Sequence, residues 1–99
     1  MREATREDVD AAVKAAHAAW ESWKSTTPVE RAVILNKIAD IIDANAQHLA
    51  EVESLDNGKP IRETSMIDIP MSADHFRYFA AAIRTEEGTA TMLDNNTLS

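Results

Sequence analysis

The sequence contains no cysteine among its 99 residues. This absence excludes disulfide bonds, thiolate metal sites and a cysteine nucleophile within the chain. Glycine is scarce as well, and its two residues lie too far apart to form a glycine-rich phosphate loop. A Gly-x-Ser-x-Gly nucleophile elbow is also absent from the sequence. The residues alone therefore indicate no self-contained active site.

Basic side chains are the minority, because 10 Lys and Arg residues stand against 17 Asp and Glu residues and give a net charge of −7. Binding to nucleic-acid phosphates needs a positive field, so nucleic acid is not an expected partner. No apolar run approaches the roughly 18 residues of a membrane span, and the first eight residues lack the apolar core of a secretory signal. With a globular apolar fraction of 44%, we expect a cytoplasmic protein without a membrane partner.

Apolar residues at helical spacing predict an all-α chain of three to five helices. The first pattern spans about 7–23 and follows Thr5, whose side chain suits an N-cap. Two tryptophans one turn apart would bury a large area, so we assign them to a core or a docking surface rather than to a ligand-binding box. The apolar positions are Val9, Ala12, Val13, Ala16, Trp20 and Trp23.

A second helix is predicted over about 28–43. Thr27 suits its N-cap, Pro28 suits its first position, and Glu30 can return a hydrogen bond to the cap. The apolar stripe is wide enough to indicate burial on more than one side of the helix. It comprises Ala32, Leu35, Ile38, Ala39 and Ile42, widened by Ile34 and Ile41.

A third helix is predicted over about 46–55, with Leu49, Val52 and Leu55 at intervals of roughly one turn. The short connections between these helices imply antiparallel neighbours. The helix runs into the string Leu55-Asp56-Asn57-Gly58-Lys59-Pro60. Because Asn and Gly tolerate positive φ and proline cannot continue a helix, this string predicts a helix C-terminus with a sharp change of chain direction.

The last helical pattern crosses Pro70 and ends at Gly88. One helical phase on both sides of the proline favours a single helix kinked at Pro70, while two helices, the second beginning at Pro70, are the alternative. In the tail, Thr97-Leu98-Ser99 can open a strand, which would need a partner outside the chain. The residues in phase are Met66, Ile69, Ala73, Phe76, Ala80 and Ile83.

Candidate metal ligands are sparse. The three histidines lie in three different helical segments without a second strong ligand one turn away, so surface or satisfied histidines are favoured over a zinc site. Glu51, Glu53 and Asp56 gather near the end of the third helix, where the helix dipole disfavours negative charge. A solvated cluster is the ordinary interpretation of these carboxylates, and a cation site is the alternative. The histidines are His17, His48 and His75.

Several strings of residues, taken in order along the chain, carry a family resemblance. Upstream of the 55–60 string they are Val9-Asp10-Ala11-Ala12-Val13, Ala15-Ala16, Trp23, Glu30-Arg31-Ala32, Leu35 and Ile38-Ala39-Asp40. Downstream they are Asp68-Ile69-Pro70, His75-Phe76-Arg77-Tyr78-Phe79-Ala80, Ile83-Arg84 and Glu87-Gly88. Together with the 55–60 string, this order resembles the NAD(P)-dependent aldehyde dehydrogenase superfamily. The sequences Arg62-Glu63-Thr64 and Asp68-Ile69-Pro70 are most similar to those of bacterial acetaldehyde-type members.

The resemblance implies that residues 1–99 are the N-terminal helical part of the cofactor-binding domain of a larger α/β enzyme with a Rossmann-like cofactor site. Residues 89–99 would lead toward its oligomerisation hairpin. The family's cysteine nucleophile, glutamate base, asparagine oxyanion donor and NAD or NADP site lie downstream of the matched residues. We therefore expect no catalytic and no cofactor-binding residue in this chain, which alone would be inactive. The expected partner is the remainder of the dehydrogenase chain, in a homo-oligomer that oxidises aldehydes to carboxylic acids.

Two single residues carry over from the resemblance. Asp56 matches a residue that helps to hold a monovalent cation in some members, a role that suits a hard carboxylate. Met71 matches a position at the mouth of the substrate tunnel, where a flexible thioether suits aliphatic aldehydes, and ordinary packing is the alternative. A second hypothesis is a stand-alone helical module, whose exposed apolar stripes would promote self-association or partner binding. A helical regulator unrelated to catalysis rests on no motif.

Overall fold

A computed structural model of the chain describes residues 3–86. Within this range the chain forms helices joined by short connections and contains no strand, as the all-α expectation requires. The predicted ends of the second and third helices fall within two residues of those observed. The four helices are α1 (Arg6–Trp23), α2 (Pro28–Ala44), α3 (Ala46–Asn57) and α4 (residues 61–82).

Both predicted N-terminal caps are present. The hydroxyls of Thr5, before α1, and Thr27, before α2, each accept a hydrogen bond from the backbone N–H three residues further on, at 3.2 Å. In return, the carboxylates of Asp8 and Glu30 accept from the backbone N–H of the capping threonine at 2.8 and 2.7 Å. These reciprocal bonds satisfy N–H groups that have no partner inside the helix, and so fix where α1 and α2 begin.

Helices α2 and α4 pack against one another in antiparallel directions. Arg77 of α4 donates to Asp40 at 2.9 Å and to Asp43 at 2.7 Å near the end of α2. Leu35, further toward the start of α2, instead shares a groove with Ile83, just past the end of α4. Small side chains at seven-residue spacing on each helix allow a close approach of the two axes. The buried residues of α2 and of the last segment of α4 are Ala32, Ala39, Ala73 and Ala80.

Several positions of the predicted apolar stripes are exposed. Ile34 and Ile41 of α2 expose 41% and 55% of their surface, and Leu55 of α3 exposes 89%. Within residues 3–86, the prediction that α2 is buried on more than one side is therefore wrong, and Leu55 of the third apolar pattern lies outside the core. The physical reason is that α4 covers one face of α2, while α3 has Ala50 as its only fully buried residue in the described range.

Helix α1 contributes nothing to this core. It has no buried residue, and it packs against no other helix of the described range. Of the two assignments made for its tryptophans, core and docking surface, the core is wrong for residues 3–86. Its apolar side is an exposed surface at one end of the molecule.

Helix α4 passes through Pro70 without a break, so the alternative of two separate helices is wrong. It consists of an α-helical turn Ile61–Glu63, a π-helical turn Thr64–Asp68 and an α-helical segment Ile69–Ala82. A proline inside a helix lacks an N–H donor and its ring crowds the carbonyl four residues earlier, and a π-turn is one recognised way to absorb this. The expected single phase fails within this π-helical turn, because Met66 is 73% exposed.

The remaining expectations concern the C-terminal part of the chain and a membrane-spanning helix. Helix α4 ends at Ala82 and residues 83–86 are not helical, so the prediction that the last helix extends to Gly88 is wrong. Gly88, the tail at 89–99 and the possible strand at 97–99 lie outside the described residues. Among residues 3–86, no helix combines the length and the hydropathy that crossing a membrane requires.

Candidate functional site

The 55–60 string forms the turn between α3 and α4. Gly58 follows the last residue of α3 with φ of 78°, and its N–H donates to the Ser54 carbonyl at 2.9 Å. The side-chain oxygen of Asn57 accepts from the Lys59 N–H at 2.8 Å, and Pro60 leads into α4. A Cβ built on Gly58 would meet no atom within 4 Å. The positive φ, and not a lack of space, therefore requires glycine, which confirms the predicted helix stop.

Lys59 links this turn to the π-helical turn of α4. Its Nζ atom lies 2.6 Å from Oδ2 of Asp68. The hydrogen bond to Asp68 raises the pKa of Lys59 above its ordinary value of 10.5, with further support from the charges of Asp68, Glu63 and Glu53. The pair spans nine residues and restrains the direction in which α4 leaves the turn.

The carboxylates near the end of α3 do not converge on one point. Glu53 accepts from the side chain of Asn57 at 2.6 Å, and Glu51 accepts from that of Gln47 at 2.6 Å. Asp56 is exposed in the last turn of α3. Among the described residues, no group of three or more His, Cys, Asp or Glu side chains is placed to hold a metal ion. Asp56 stays a candidate cation ligand through the resemblance alone.

Met71 lies on an exposed side of α4. It exposes 51% of its surface, as does Ile67 one turn earlier, and Tyr78 two turns later exposes 63%. His75 is also exposed and lines a shallow cleft together with Tyr78. Because residues three and four apart share a face of an α-helix, Met71, His75 and Tyr78 form one strip, and the exposed Ile67 lies in the π-helical turn just before it. We call Ile67, Met71, His75 and Tyr78 the outer face of α4. Met71 is thus not packed into the core of the described residues.

A second exposed apolar surface lies on α1. Val9, Val13 and Trp20 expose 54%, 53% and 56% of their surface. Ala16 and His17 line a shallow groove with Trp20. The spacing of three and four residues places the apolar members on one side of the helix. We call Val9, Val13, Ala16 and Trp20 the α1 face.

Thr64 is a buried polar residue that the apolar pattern could not reveal. It is 0% exposed, and its hydroxyl oxygen lies 3.1 Å from the carbonyls of both Ala50 and Ile61 and 2.8 Å from Oγ of Ser54. No side-chain nitrogen or oxygen buried within the described range lacks a hydrogen-bond partner. On an unbroken α-helix Thr64 would lie opposite Ala73, so the sequence carried no signal for its burial.

Comparison with known proteins places these features in a family. Residues 1–99 match the model of the aldehyde dehydrogenase family. An aldehyde dehydrogenase of Rhodospirillum rubrum is 56% identical over 95 residues, which is 96% of this chain and 19% of that protein. Acetaldehyde dehydrogenase 2 of Cupriavidus necator is 54% identical over 94 residues, which is 95% of this chain and 19% of that protein.

Solved structures give the same result. A crystal structure from Burkholderia cenocepacia, named as an aldehyde dehydrogenase, superimposes with a TM-score of 0.83 at 40% identity, covering 99% of this chain and 20% of that one. The crystal structure of PnpE in complex with nicotinamide adenine dinucleotide gives a TM-score of 0.79 at 39% identity, covering 93% of this chain and 19% of that one. The chain spans about a fifth of the length of these proteins and corresponds to their N-terminal part. It therefore belongs to the aldehyde dehydrogenase family.

Proposed function

We propose that this chain is the N-terminal helical part of an NAD(P)-dependent aldehyde dehydrogenase that oxidises aldehydes to carboxylic acids. The observation that carries the proposal is the match of residues 1–99 to the aldehyde dehydrogenase family, with 54–56% identity to two of its members over 94–95 residues. The uncovered α1 face supports it, since a contiguous apolar surface of this kind marks a contact with further protein. The reacting groups and the cofactor, NAD or NADP, belong to the remainder of the enzyme, and the similar structure of PnpE holds NAD.

Within that enzyme, the described helices form the N-terminal part of the cofactor-binding domain, and residues 89–99 lead toward an oligomerisation hairpin. The α1 face packs on the remainder of the chain. Met71, which is 51% exposed, contributes an adaptable thioether to the substrate entrance. Asp56 supplies one oxygen ligand to a monovalent cation whose other ligands come from elsewhere. The assembled enzyme is a cytoplasmic homo-oligomer, and this chain alone is inactive.

The test of this proposal is a chimera in which residues 1–99 replace the matching segment of the Rhodospirillum rubrum relative. We expect the chimera to reduce NAD or NADP in the presence of aliphatic aldehydes, and we expect no turnover from the 99-residue chain alone. A folded chimera that oxidises no aldehyde, beside an active Rhodospirillum rubrum protein prepared in parallel, would contradict the proposal.

The substrate entrance has its own test in the chimera. Met71→Ala should raise the KM for long aliphatic aldehydes relative to acetaldehyde, because the contact with the alkyl chain is lost. Val33→Ala is the matched control, since Val33 is 62% exposed on α2 and lies outside the outer face of α4. An unchanged ratio of KM values in Met71→Ala would contradict a role for Met71 at the entrance.

A second candidate function is a stand-alone module that associates with itself, and the α1 face is the observation that favours it. A chain that exposes Val9, Val13 and Trp20 on one side of a helix is suited to self-association. Sedimentation of the 99-residue chain at high concentration should then show dimers or larger species, and Trp20→Glu should return them to monomer. A monodisperse monomer would exclude this second function and leave the first untouched.

A further inference from the structure

The buried residues of α4 do not fit one continuous α-helix. Successive residues of an α-helix lie about 100° apart around the axis, so Thr64 and Ala73 would lie about 180° from one another. Yet both are buried, with exposures of 0% and 1%. In the π-helical turn the Ile69 N–H donates to the carbonyl of Thr64, five residues back, and this wider ring takes up one extra residue. The angle between Thr64 and Ala73 then falls to about 80°, and both can face inward.

The same shift accounts for the exposed methionine of the turn. Without the π-turn, Met66 would lie about 20° from Ala73 and would point at the core. Met66 lies inside the π-turn, whose wider ring rotates it away from this direction, in agreement with its 73% exposure. The π-turn therefore decides which of two side chains faces inward, Thr64 or Met66.

Two groups hold the π-turn from its two ends. On the C-terminal side, Pro70 has no N–H to donate to the Met66 carbonyl, which disfavours a regular α-helical turn. On the N-terminal side, the Thr64 hydroxyl bonds to α3. A hydroxyl has one proton, so Thr64 shares it with the carbonyls of Ala50 and Ile61 and accepts a hydrogen bond from Ser54. The bonds to Ala50 and Ser54 are lost if Thr64 turns away from α3, whereas the bond to Ile61 lies within α4, and a buried polar group that loses its partners is unfavourable.

We propose that Thr64 is a positioning residue, whose buried hydroxyl holds the π-helical turn in register and so fixes the directions of Met66 and Ile67 relative to Met71. If the turn relaxed to an α-helix, Ile67 would rotate about the helix axis relative to Met71 and the outer face of α4 would be rearranged. In the proposed function, on which this inference rests, the outer face of α4 borders the substrate entrance. Thr64 thereby influences aldehyde selectivity without touching the aldehyde.

The register is tested by thiol labelling, because the chain contains no cysteine. Met66→Cys introduces a single thiol, which should react readily with Ellman's reagent in the folded chain. Adding Thr64→Val should slow the reaction several-fold as the thiol turns inward, whereas adding Thr64→Ser, which keeps the hydroxyl, should not. Thr85→Val is the matched control, because Thr85 is exposed and its hydroxyl donates to the nearby Ala82 carbonyl. An equal or faster reaction with Thr64→Val would overturn the proposal.

The effect on selectivity is tested in the Rhodospirillum rubrum chimera. Thr64→Val should shift the KM ratio of long to short aldehydes several-fold with little change in kcat, and Thr64→Ser should restore it. If Met71→Ala shifts this ratio and Thr64→Val does not, the positioning role of Thr64 is wrong. If Met71→Ala leaves the ratio unchanged, the assignment of the substrate entrance fails instead, and the labelling experiment alone decides on Thr64.

Discussion

The guanidinium of Arg31 lies 5.1 Å from the centroid of the Trp23 ring and donates to the Trp23 carbonyl at 3.0 Å. Its Nε atom also donates to the hydroxyl of Thr26 at 2.8 Å. One side chain at the start of α2 thus joins the last turn of α1 and the connection between the two helices. Since α1 packs on no other helix of the described range, these contacts hold α1 in its direction.

Arg31→Lys tests this connection. Lysine keeps the positive charge but lacks the planar guanidinium group, which can donate to two acceptors at once. We expect a loss of about 1 kcal/mol in the free energy of unfolding and faster amide exchange over residues 24–31. Arg84→Lys serves as the control, because Arg84 is exposed and lies beyond the end of α4. Equal urea midpoints for the two variants would show that the Arg31 contacts are not stabilising.

Gly58→Ala tests the helix stop between α3 and α4. With φ of 78° and no atom within 4 Å of the added methyl group, the substitution meets no steric obstacle except its own backbone. We expect it to lower the free energy of unfolding by about 1–2 kcal/mol, as for other residues forced into the left-handed region. Gly58→Asn should lose less, because asparagine tolerates this conformation. Identical stability of the alanine and glycine proteins in urea would refute the argument.

Features with a local cause were predictable from the sequence. Thr27, Pro28 and Glu30 act within one turn, so their residue types suffice to locate the start of α2. The end of α3 was predictable for the same reason, because a glycine at the end of a helix commonly adopts the left-handed backbone conformation seen at Gly58. The family resemblance also rested on short strings, and it was confirmed over residues 1–99.

Features that depend on neighbours were not predictable from the apolar pattern. Such a pattern records which side chains are suited to burial but not whether this chain covers them, and Ile41 and Leu55 are accordingly exposed. The prediction that Met66 shares the phase of the later apolar residues was wrong for another reason. It assumed a constant angle per residue across a π-helical turn that holds one extra residue. Thr64 has no apolar signal, and its burial depends on partners in α3, 14 residues away in the case of Ala50.

The two capping boxes predict a dependence of helix stability on pH. Hydrogen bonds from Thr5 and Thr27 lower the pKa values of Asp8 and Glu30 below their ordinary values of 3.8 and 4.5. A lowered pKa in the folded chain stabilises it above the ordinary pKa, and that stabilisation is lost as the pH falls through the folded pKa. We expect helical circular dichroism to decrease on acidification below about pH 4.5, and Glu30→Gln to reduce this pH dependence. The exposed Glu86→Gln is the control, and the same acid titration for both variants would contradict the role of the box.

The close contact of α2 and α4 predicts an intolerance of larger side chains at its centre. Ala39 is 0% exposed on the face of α2 that meets α4. Ala39→Leu must push the helices apart or adopt an unfavourable rotamer, which costs about 1–3 kcal/mol in tightly packed sites. Ala81→Leu is the matched control, because Ala81 is exposed on α4 and leucine is nearly as good a helix former as alanine. Urea unfolding should therefore show a lower midpoint for Ala39→Leu alone. Equal midpoints for the two variants would mean that α2 and α4 do not rely on alanine for their close approach.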